Sequence, residues 1–222
     1  MSAPDGPMEN GGSVKELLAA AAEWRLIAVL LARPRSGWRE EISQLARETD
    51  EPALRSAAIE AAHASEGAYL GVVGPGAPVS PREVAYRERE DPGWVLADVS
   101  RYYDAFAFQP RTEDPLDHVA VEADFVGYLF LKEAFARAGG EEGAAALTAT
   151  VREDFLRYHL AAIAAPFAER TAALALQHLA TTARALAKRV PPPVPGTAGF
   201  AGVSHEPDDS ACGSCVVPSD PA

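Results

Sequence analysis

Hydrophobic residues recur along this chain at the three- and four-residue spacing of an α-helix, and the strict alternation typical of a β-strand is not found. The abundance of alanine favours helix as well. The pattern therefore predicts an all-α fold, a single-domain helical bundle. Its candidate helices span Ser13–Ala32, Gly37–Glu48, Glu51–Gly67, Gly93–Phe108, Pro115–Ala138, Glu141–His159 and Pro166–Val190.

Interruptions of this pattern suggest how the chain is organised. They fall at proline and glycine, namely at Pro34, the 71–81 run, the 110–115 hinge and Gly139-Gly140. No linker divides the middle, so residues 13–190 are predicted to form one helical domain. Residues 1–12 are polar and glycine-rich, and we expect them to be flexible. Residues 191–222 lack apolar periodicity and are rich in proline, glycine and acidic residues, which predicts a disordered tail.

The most informative stretch places a polar cluster directly before a long apolar helix in the middle of the chain. Asp114 is a natural N-cap, and Pro115 suits the first helical position because its missing N–H needs no partner there. Asp117 would then lie in the first turn. His118 and Glu122 are four residues apart and would share one face of the helix. On chemistry alone, an interpretation in which these residues only cap the helix is favoured.

The preceding helix carries a second pattern. One of its stripes is apolar and consists of Val95, Val99, Tyr102 and Phe106, with Tyr103 at its edge. The two valines and Phe106 are interpreted as core residues, whereas Tyr102 and Tyr103 fit either the core or a groove. Asp98 and Asp104 are expected elsewhere on the surface, and Trp94 is a further groove candidate. An apolar floor beside carboxylates is what a helix-binding groove requires.

Composition and charge exclude some classes of protein. The chain has 222 residues, 48% of them hydrophobic, which is enough for one sizeable core. Its net charge of −12 argues against a nucleic-acid backbone or an anionic membrane as the main partner. No signal peptide and no membrane-spanning run is recognised. Both cysteines lie near the end of the chain and cannot staple a fold of this size, so a cytoplasmic protein is expected.

Metal binding and catalysis have weaker signals. Cys212 and Cys215 have the spacing of half a zinc site, and His205 could add a third ligand, but a complete site generally needs a second pair. Glu60 and His63 have the spacing used by di-iron bundles, which need a second copy that this chain lacks. No phosphate-binding loop or nucleophile elbow is present. The sequence therefore predicts a protein that is not an enzyme and has no cofactor of its own.

Four segments together resemble the TorD/DmsD/NarJ family of redox-enzyme maturation chaperones. The first is Pro115-x-Asp117-His118 followed by Glu122 and an aromatic at Phe125, where relatives carry leucine instead of Ala123 after the glutamate. The other three are the 96–106 helix LADVSRYYDAF, the 154–160 segment DFLRYHL, and the 24–34 helix WRLIAVLLARP. The resemblance covers roughly Val14 to Val190 in the family's order.

This resemblance implies a cytoplasmic, system-specific chaperone. Such a protein binds the apo catalytic subunit of a molybdoenzyme of the dimethyl-sulfoxide-reductase family, often by an N-terminal twin-arginine signal segment. It assists molybdopterin cofactor insertion, assembly and export proofreading, as a monomer or a domain-swapped dimer. The partner-binding residues expected from it are Tyr102, Tyr103, Phe106, Pro115, Asp117, His118 and Glu122. In this hypothesis Asp117 and Glu122 form a rim that pairs with arginines of the client.

A second hypothesis comes from a different class of protein. In it the chain is a metal-binding helical enzyme or a metal-delivery protein. Its ligands would come from Glu60 and His63, from the Asp117, His118 and Glu122 cluster, or from the tail cysteines. The identity of the client, its substrate and the oligomeric state are not encoded in any motif of the sequence.

Overall fold

A computed structural model of the chain describes residues 12–74 and 76–193. The helices are α1 (Val14–Leu31), α2 (Trp38–Glu48), α3 (Pro52–Ala61), α4 (Glu66–Leu70), α5 (Pro92–Ala105), α6 (Val119–Ala138), α7 (Glu142–Phe155), α8 (Ala161–Ala172) and α9 (Gln177–Arg189). A short 3₁₀ helix covers Glu83–Tyr86, and a π-helical turn covers Leu156–Leu160. The predicted all-α single domain is confirmed.

Helix α1 lies at the centre of the bundle. Every residue from Leu26 to Leu31 is buried, so the second half of this helix is enclosed on all sides. Its most extensive packing is against α6. The two helices approach closely at Gly127, where a Cβ atom would lie 3.3 Å from the backbone of Ala21 and Arg25. The Arg25 guanidinium then ties α1 to two neighbours through Glu41 of α2 at 2.5 Å and Asp124 of α6 at 2.6 Å.

The single helix predicted over Glu51–Gly67 is wrong, because two helices occupy this range. Helix α3 ends at Ala61, and Ser65 caps α4 by accepting a hydrogen bond from the Ala68 N–H. Between them, the carbonyl oxygens of Ala62 and Ala64 accept hydrogen bonds from the Arg39 guanidinium at 2.9 and 2.8 Å. A side chain from α2 therefore satisfies the carbonyl groups that the interrupted helix leaves open.

The boundary predicted at Pro166 is also wrong. Helix α7 continues through the π-helical turn directly into α8, and Pro166 lies inside α8. The break comes later, between Ala172 and Gln177, before α9 begins. A π-helical turn adds one residue to a helical turn and rotates the side chains that follow it. This rotation directs His159 into the core, where it is buried.

Some expectations fall outside the described part of the chain. The flexible N-terminus and the tail with its two cysteines and His205 correspond to residues 1–11 and 194–222, which the structure does not describe. Among the residues that it does describe, no helix is both long enough and apolar enough to cross a lipid bilayer.

Candidate functional site

The polar cluster before α6 does not form the helix start that the sequence predicts. The helix begins at Val119 rather than Pro115, and its N-cap is His118 rather than Asp114. The Ala120 N–H donates a hydrogen bond to His118 Nδ1 at 3.1 Å. Residues 115–118 cannot be helical because the chain there pairs with a distant segment: His118 forms an antiparallel bridge with Arg82, and the Val119 N–H donates to the Pro81 carbonyl.

Asp117 is the centre of this pairing. Its carboxylate accepts hydrogen bonds from Arg82 Nε at 2.9 Å and from the Val84 N–H at 3.3 Å. Its own carbonyl oxygen accepts the Glu83 N–H at 2.9 Å. The side chain of Asp117 is completely buried, so the expectation that it belongs to an exposed rim is wrong. Asp117 instead fastens the 81–84 segment to the start of α6.

His118 connects the same point to α1. Because Nδ1 accepts the Ala120 N–H, the proton of a neutral imidazole is assigned to Nε2. Nε2 lies 3.4 Å from the hydroxyl of Tyr69, and this hydroxyl donates to the Leu31 carbonyl at 3.0 Å. Burial lowers the pKa of His118 against the opposing influence of Asp114 and Asp117, which keeps the ring neutral. His118 thus joins the start of α6, through Tyr69 of α4, to the end of α1.

Glu122 is also completely buried, and the expectation that it faces a client is wrong for the same reason as for Asp117. No donor within residues 12–74 and 76–193 reaches either of its carboxyl oxygens. Burial raises the pKa of Glu122 well above its ordinary value, and the negative charge of Glu83 raises it further. The protonated carboxyl can donate to Glu83, which an ionised carboxylate could not do. The raised pKa, together with the lack of a donor among the described residues, favours the neutral form of Glu122 in the folded protein.

Glu83 leads to a second group of buried charges that the sequence analysis missed. Its carboxylate accepts from Arg87 Nε at 2.5 Å and lies 3.1 Å from His159 Nδ1. The other ring nitrogen, Nε2, lies 3.3 Å from Asp98. Burial opposes the charging of His159, but the nearby carboxylates of Asp98 and Glu83 outweigh burial and raise the pKa of its imidazole. The structure therefore contains one continuous polar network from Asp117 to Asp98 beneath the bundle surface.

The expectation that Asp98 lies on the surface is wrong, because Asp98 is buried and lies next to His159. A sequence signal for this position exists. Asp98 stands three residues after Val95 and four before Tyr102, which places it on the apolar stripe of α5. A carboxylate on a core stripe indicates a buried polar partner. No comparable local signal marks Glu83 or Arg87, since their partners lie far away in the sequence.

Tyr102 and Tyr103 are core residues. Both are buried in an aromatic cluster around Phe155, which lies 5.2 Å from the Tyr102 ring and 4.8 Å from the Phe125 ring between centroids. The Tyr103 hydroxyl donates to the Leu116 carbonyl at 2.9 Å. Tyr103 therefore holds the end of α5 against the segment that leads into α6, and neither tyrosine lines an open groove.

Phe106 differs from the two tyrosines, because it is only partly buried and borders an apolar groove between α6 and α7. This groove has a volume of about 800 Å³. Its exposed apolar side chains are Leu131, Phe135 and Leu147, with exposed fractions of 37%, 70% and 62%. Glu141 and Lys132 also line it. Exposed apolar residues gathered in one concave surface are typical of a protein-binding site.

Buried ion pairs fix the two helices that form this groove. Glu133 of α6 is buried and accepts hydrogen bonds from Arg137, one turn later, and from Arg152 of α7. The Arg152 guanidinium also stacks 4.0 Å above the ring of Phe130. At the other end, the Tyr128 hydroxyl donates to the Phe106 carbonyl at 3.0 Å. These contacts fix the relative positions of the elements that line the groove.

A smaller cleft of about 330 Å³ lies at the start of α5. Trp94 stands at its edge with 72% of its surface exposed, and Asp98 and His159 of the buried network reach it from inside. Pro115, the remaining residue of the predicted site, is exposed but belongs to neither concave surface. The predicted site residues therefore separate into five buried residues, one groove residue, Phe106, and the exposed Pro115, which belongs to neither set.

Metal ligation finds no support in the described residues, where no group of three or more histidine, cysteine, aspartate or glutamate side chains has a geometry that could hold a metal ion. Asp117, His118 and Glu122 belong to this described part of the chain, and so do Glu60 and His63. The tail cysteines and His205 lie outside it.

The family model described as "Nitrate reductase delta subunit" matches residues 32–169, which is more than half of the chain. The chain therefore belongs to the nitrate reductase delta subunit family, the NarJ/TorD-like chaperones, and the resemblance seen in the four sequence segments is confirmed. The protein is accordingly a molybdoenzyme maturation chaperone from a family without catalytic activity. No curated protein and no solved structure matches the chain.

Proposed function

We propose that this protein is a cytoplasmic chaperone for the apo catalytic subunit of a molybdoenzyme of the dimethyl-sulfoxide-reductase family. It holds an N-terminal segment of that client while the molybdopterin cofactor is inserted and the partner subunits assemble. Family membership supports the general activity, and the groove between α6 and α7 supports the binding of a client segment. The chaperone needs no cofactor of its own for this task.

The single observation that carries the proposal is the exposed apolar surface of this groove. Phe135 and Leu147 line it with most of their surfaces in water, and the partly buried Phe106 lines it as well. An amphipathic or apolar helix laid into such a groove would bury these side chains. Signal segments of exported enzymes contain an apolar stretch of this kind, so proofreading before export is part of the proposal.

The predicted site residues have a structural role in this proposal. Asp117, His118 and Glu122 fix the position where α6 begins, and Tyr103 fixes the end of α5. The groove lies between these helices and α7, so its shape depends on that framework. Arginines of the client cannot reach Asp117 or Glu122, because both carboxyl groups are buried. Glu141, which lines the groove and is exposed, is the carboxylate available to them.

Calorimetric titration tests the proposal. The ligand is a synthetic peptide of the N-terminal segment of the molybdoenzyme catalytic subunit encoded beside this chaperone. The double variant Phe135→Asp/Leu147→Asp should weaken binding by more than about 100-fold, because each of the two side chains loses about 1.5–3 kcal/mol of burial and two charges enter the groove. The matched control is Ile59→Asp, which changes an equally exposed apolar residue on α3. Equal affinities for all three proteins would refute the groove as the client site.

A further inference from the structure

A second groove, between α2 and α3, has a different chemical character. Its volume is about 460 Å³, and its floor consists of small and branched apolar residues that include Ile42, Ala58 and Ile59. Ile59 is 73% exposed, which makes it the most exposed large hydrophobic residue among those that the structure describes. The client groove between α6 and α7 lies on other helices, so this surface has no role in the proposed function.

Three arginines surround this floor, namely Arg39, Arg47 and Arg55. Each donates only to backbone carbonyl oxygens: Arg39 to residues 62 and 64, Arg47 to Ser43, and Arg55 to Asp50. None of the three forms an ion pair with a carboxylate in the described part of the chain, although the whole protein carries a net charge of −12. An apolar floor bordered by three cations favours an acidic segment with one or two apolar side chains.

The chain itself supplies such a segment. Residues 200–209, FAGVSHEPDD, combine Phe200 and Val203 with Glu206, Asp208 and Asp209. Residues 194–222 contain no lysine or arginine at all. The apolar side chains at the start of the segment suit the floor of isoleucine and alanine, and the acidic side chains that follow suit the arginines beside that floor.

Helix α9 ends beside the start of α3, which is one of the two helices that form the groove. Arg189, the last residue of α9, lies 3.0 Å from Glu23 and 3.6 Å from Glu51, the N-cap of α3. The rise of α3 from there to Ile59 is only about 12 Å. Six residues lie between Pro193 and Phe200, and the seven residue-to-residue steps from one to the other can span up to about 23 Å when extended. The chain is therefore long enough for this segment to extend to the groove.

We infer that residues 200–209 bind in cis to the α2–α3 groove, with the acidic side chains facing Arg47 and Arg55 and the apolar ones covering Ile59. The inference rests on the unpaired arginines, on the exposed apolar floor and on the exit of the chain beside α3.

The two native cysteines make a direct test possible with the full chain. Cys215→Ser leaves Cys212, three residues beyond Asp209, as the one thiol for a nitroxide spin label. The label should broaden the amide NMR signals of α2 and α3 around the groove and leave those of α6 and α7 sharp. Arg47→Glu/Arg55→Glu should remove this broadening, whereas the control Arg157→Glu/Arg184→Glu, which makes the same charge change at two other exposed arginines, should keep it.

Two further arms complete the test. Adding Asp208→Arg/Asp209→Arg to the groove variant should restore the broadening, because the charges are then exchanged across the contact. Raising the ionic strength should weaken it, since exposed charge pairs are screened by salt. Unbroadened groove signals in the labelled protein would overturn the inference. Equal broadening in isotope-enriched protein without a spin label, when it is mixed with spin-labelled protein of natural isotope abundance, would overturn it too, because the occupant would then be a second molecule.

Discussion

Glu122→Gln should make the protein more stable, and the gain should grow with pH. A glutamine side chain has the shape of the protonated acid and can donate to Glu83 as that acid does. Wild-type Glu122 stays protonated when folded because burial and Glu83 raise its pKa, whereas in the unfolded chain it ionises near its ordinary value of 4.5. Above that pH the unfolded state has released a proton that the folded state still holds.

The sign and size of the effect follow from this difference. Because the folded state binds the extra proton, raising the pH lowers the wild-type free energy of unfolding by about 1.4 kcal/mol per pH unit through this group. The loss continues until the pH reaches the raised pKa of the folded protein. Glu122→Gln removes it, so the two proteins should be equally stable at pH 4 and diverge at that slope above pH 5. For a chain of this size, the stability difference that builds up over each pH unit corresponds to roughly 3–5 °C in melting temperature.

Urea unfolding followed by circular dichroism at a series of pH values measures the difference. Glu153→Gln, at an exposed glutamate of α7, is the control and should follow the wild-type pH dependence. If the stability curves of wild type and Glu122→Gln stayed parallel from pH 4 to 8, Glu122 would be ionised in the folded protein. The assignment of a neutral acid beside Glu83 would then have to be abandoned.

Three other substitutions test separate parts of the structure. Ala107 has a positive φ of 53° just after α5, so Ala107→Gly should raise the free energy of unfolding by about 0.5–1 kcal/mol in urea titrations, and a loss would refute the turn. Asp117→Ala should lower it by about 2–3 kcal/mol because Arg82 and the Val84 N–H lose their acceptor; a wild-type melting curve would contradict this. Replacing Cys212 and Cys215 by serine should leave the melting temperature nearly unchanged, and a drop of several degrees that zinc restores in the parent would indicate a structural metal site.

Local sequence patterns were sufficient for much of the fold. Ser13 and Glu16 form a complete capping box at the start of α1, and Asp91 caps α5 through the N–H groups of Gly93 and Trp94. Apolar periodicity indicated α1, α2, α5 and the body of α6. In these regions the interactions that form the helix are made within a few residues, which is why the sequence alone reveals them.

The start of α6 could not be predicted in the same way. Asp114, Pro115 and Asp117 satisfy every local rule for a helix N-terminus, but Asp117 binds Arg82, which is 35 residues away. The partner of His159 is still more distant, since Glu83 lies 76 residues before it. Tertiary contacts of this kind override local capping preferences. Only the folded structure therefore shows that Asp117, His118 and Glu122 are buried. It also shows that they hold the helices together instead of forming an exposed rim.

Hydrogen exchange of the full chaperone, with and without the N-terminal peptide of the client subunit, tests the central claim most directly. Binding in the proposed groove should slow the exchange of amides around Leu131 and Phe135 in α6 and around Leu147 in α7, because the peptide stabilises both helices against local opening. Exchange in α2 and α3 should not change. Protection that appeared at the Trp94 cleft or the α2–α3 groove while α6 and α7 exchanged as in the free protein would contradict the account.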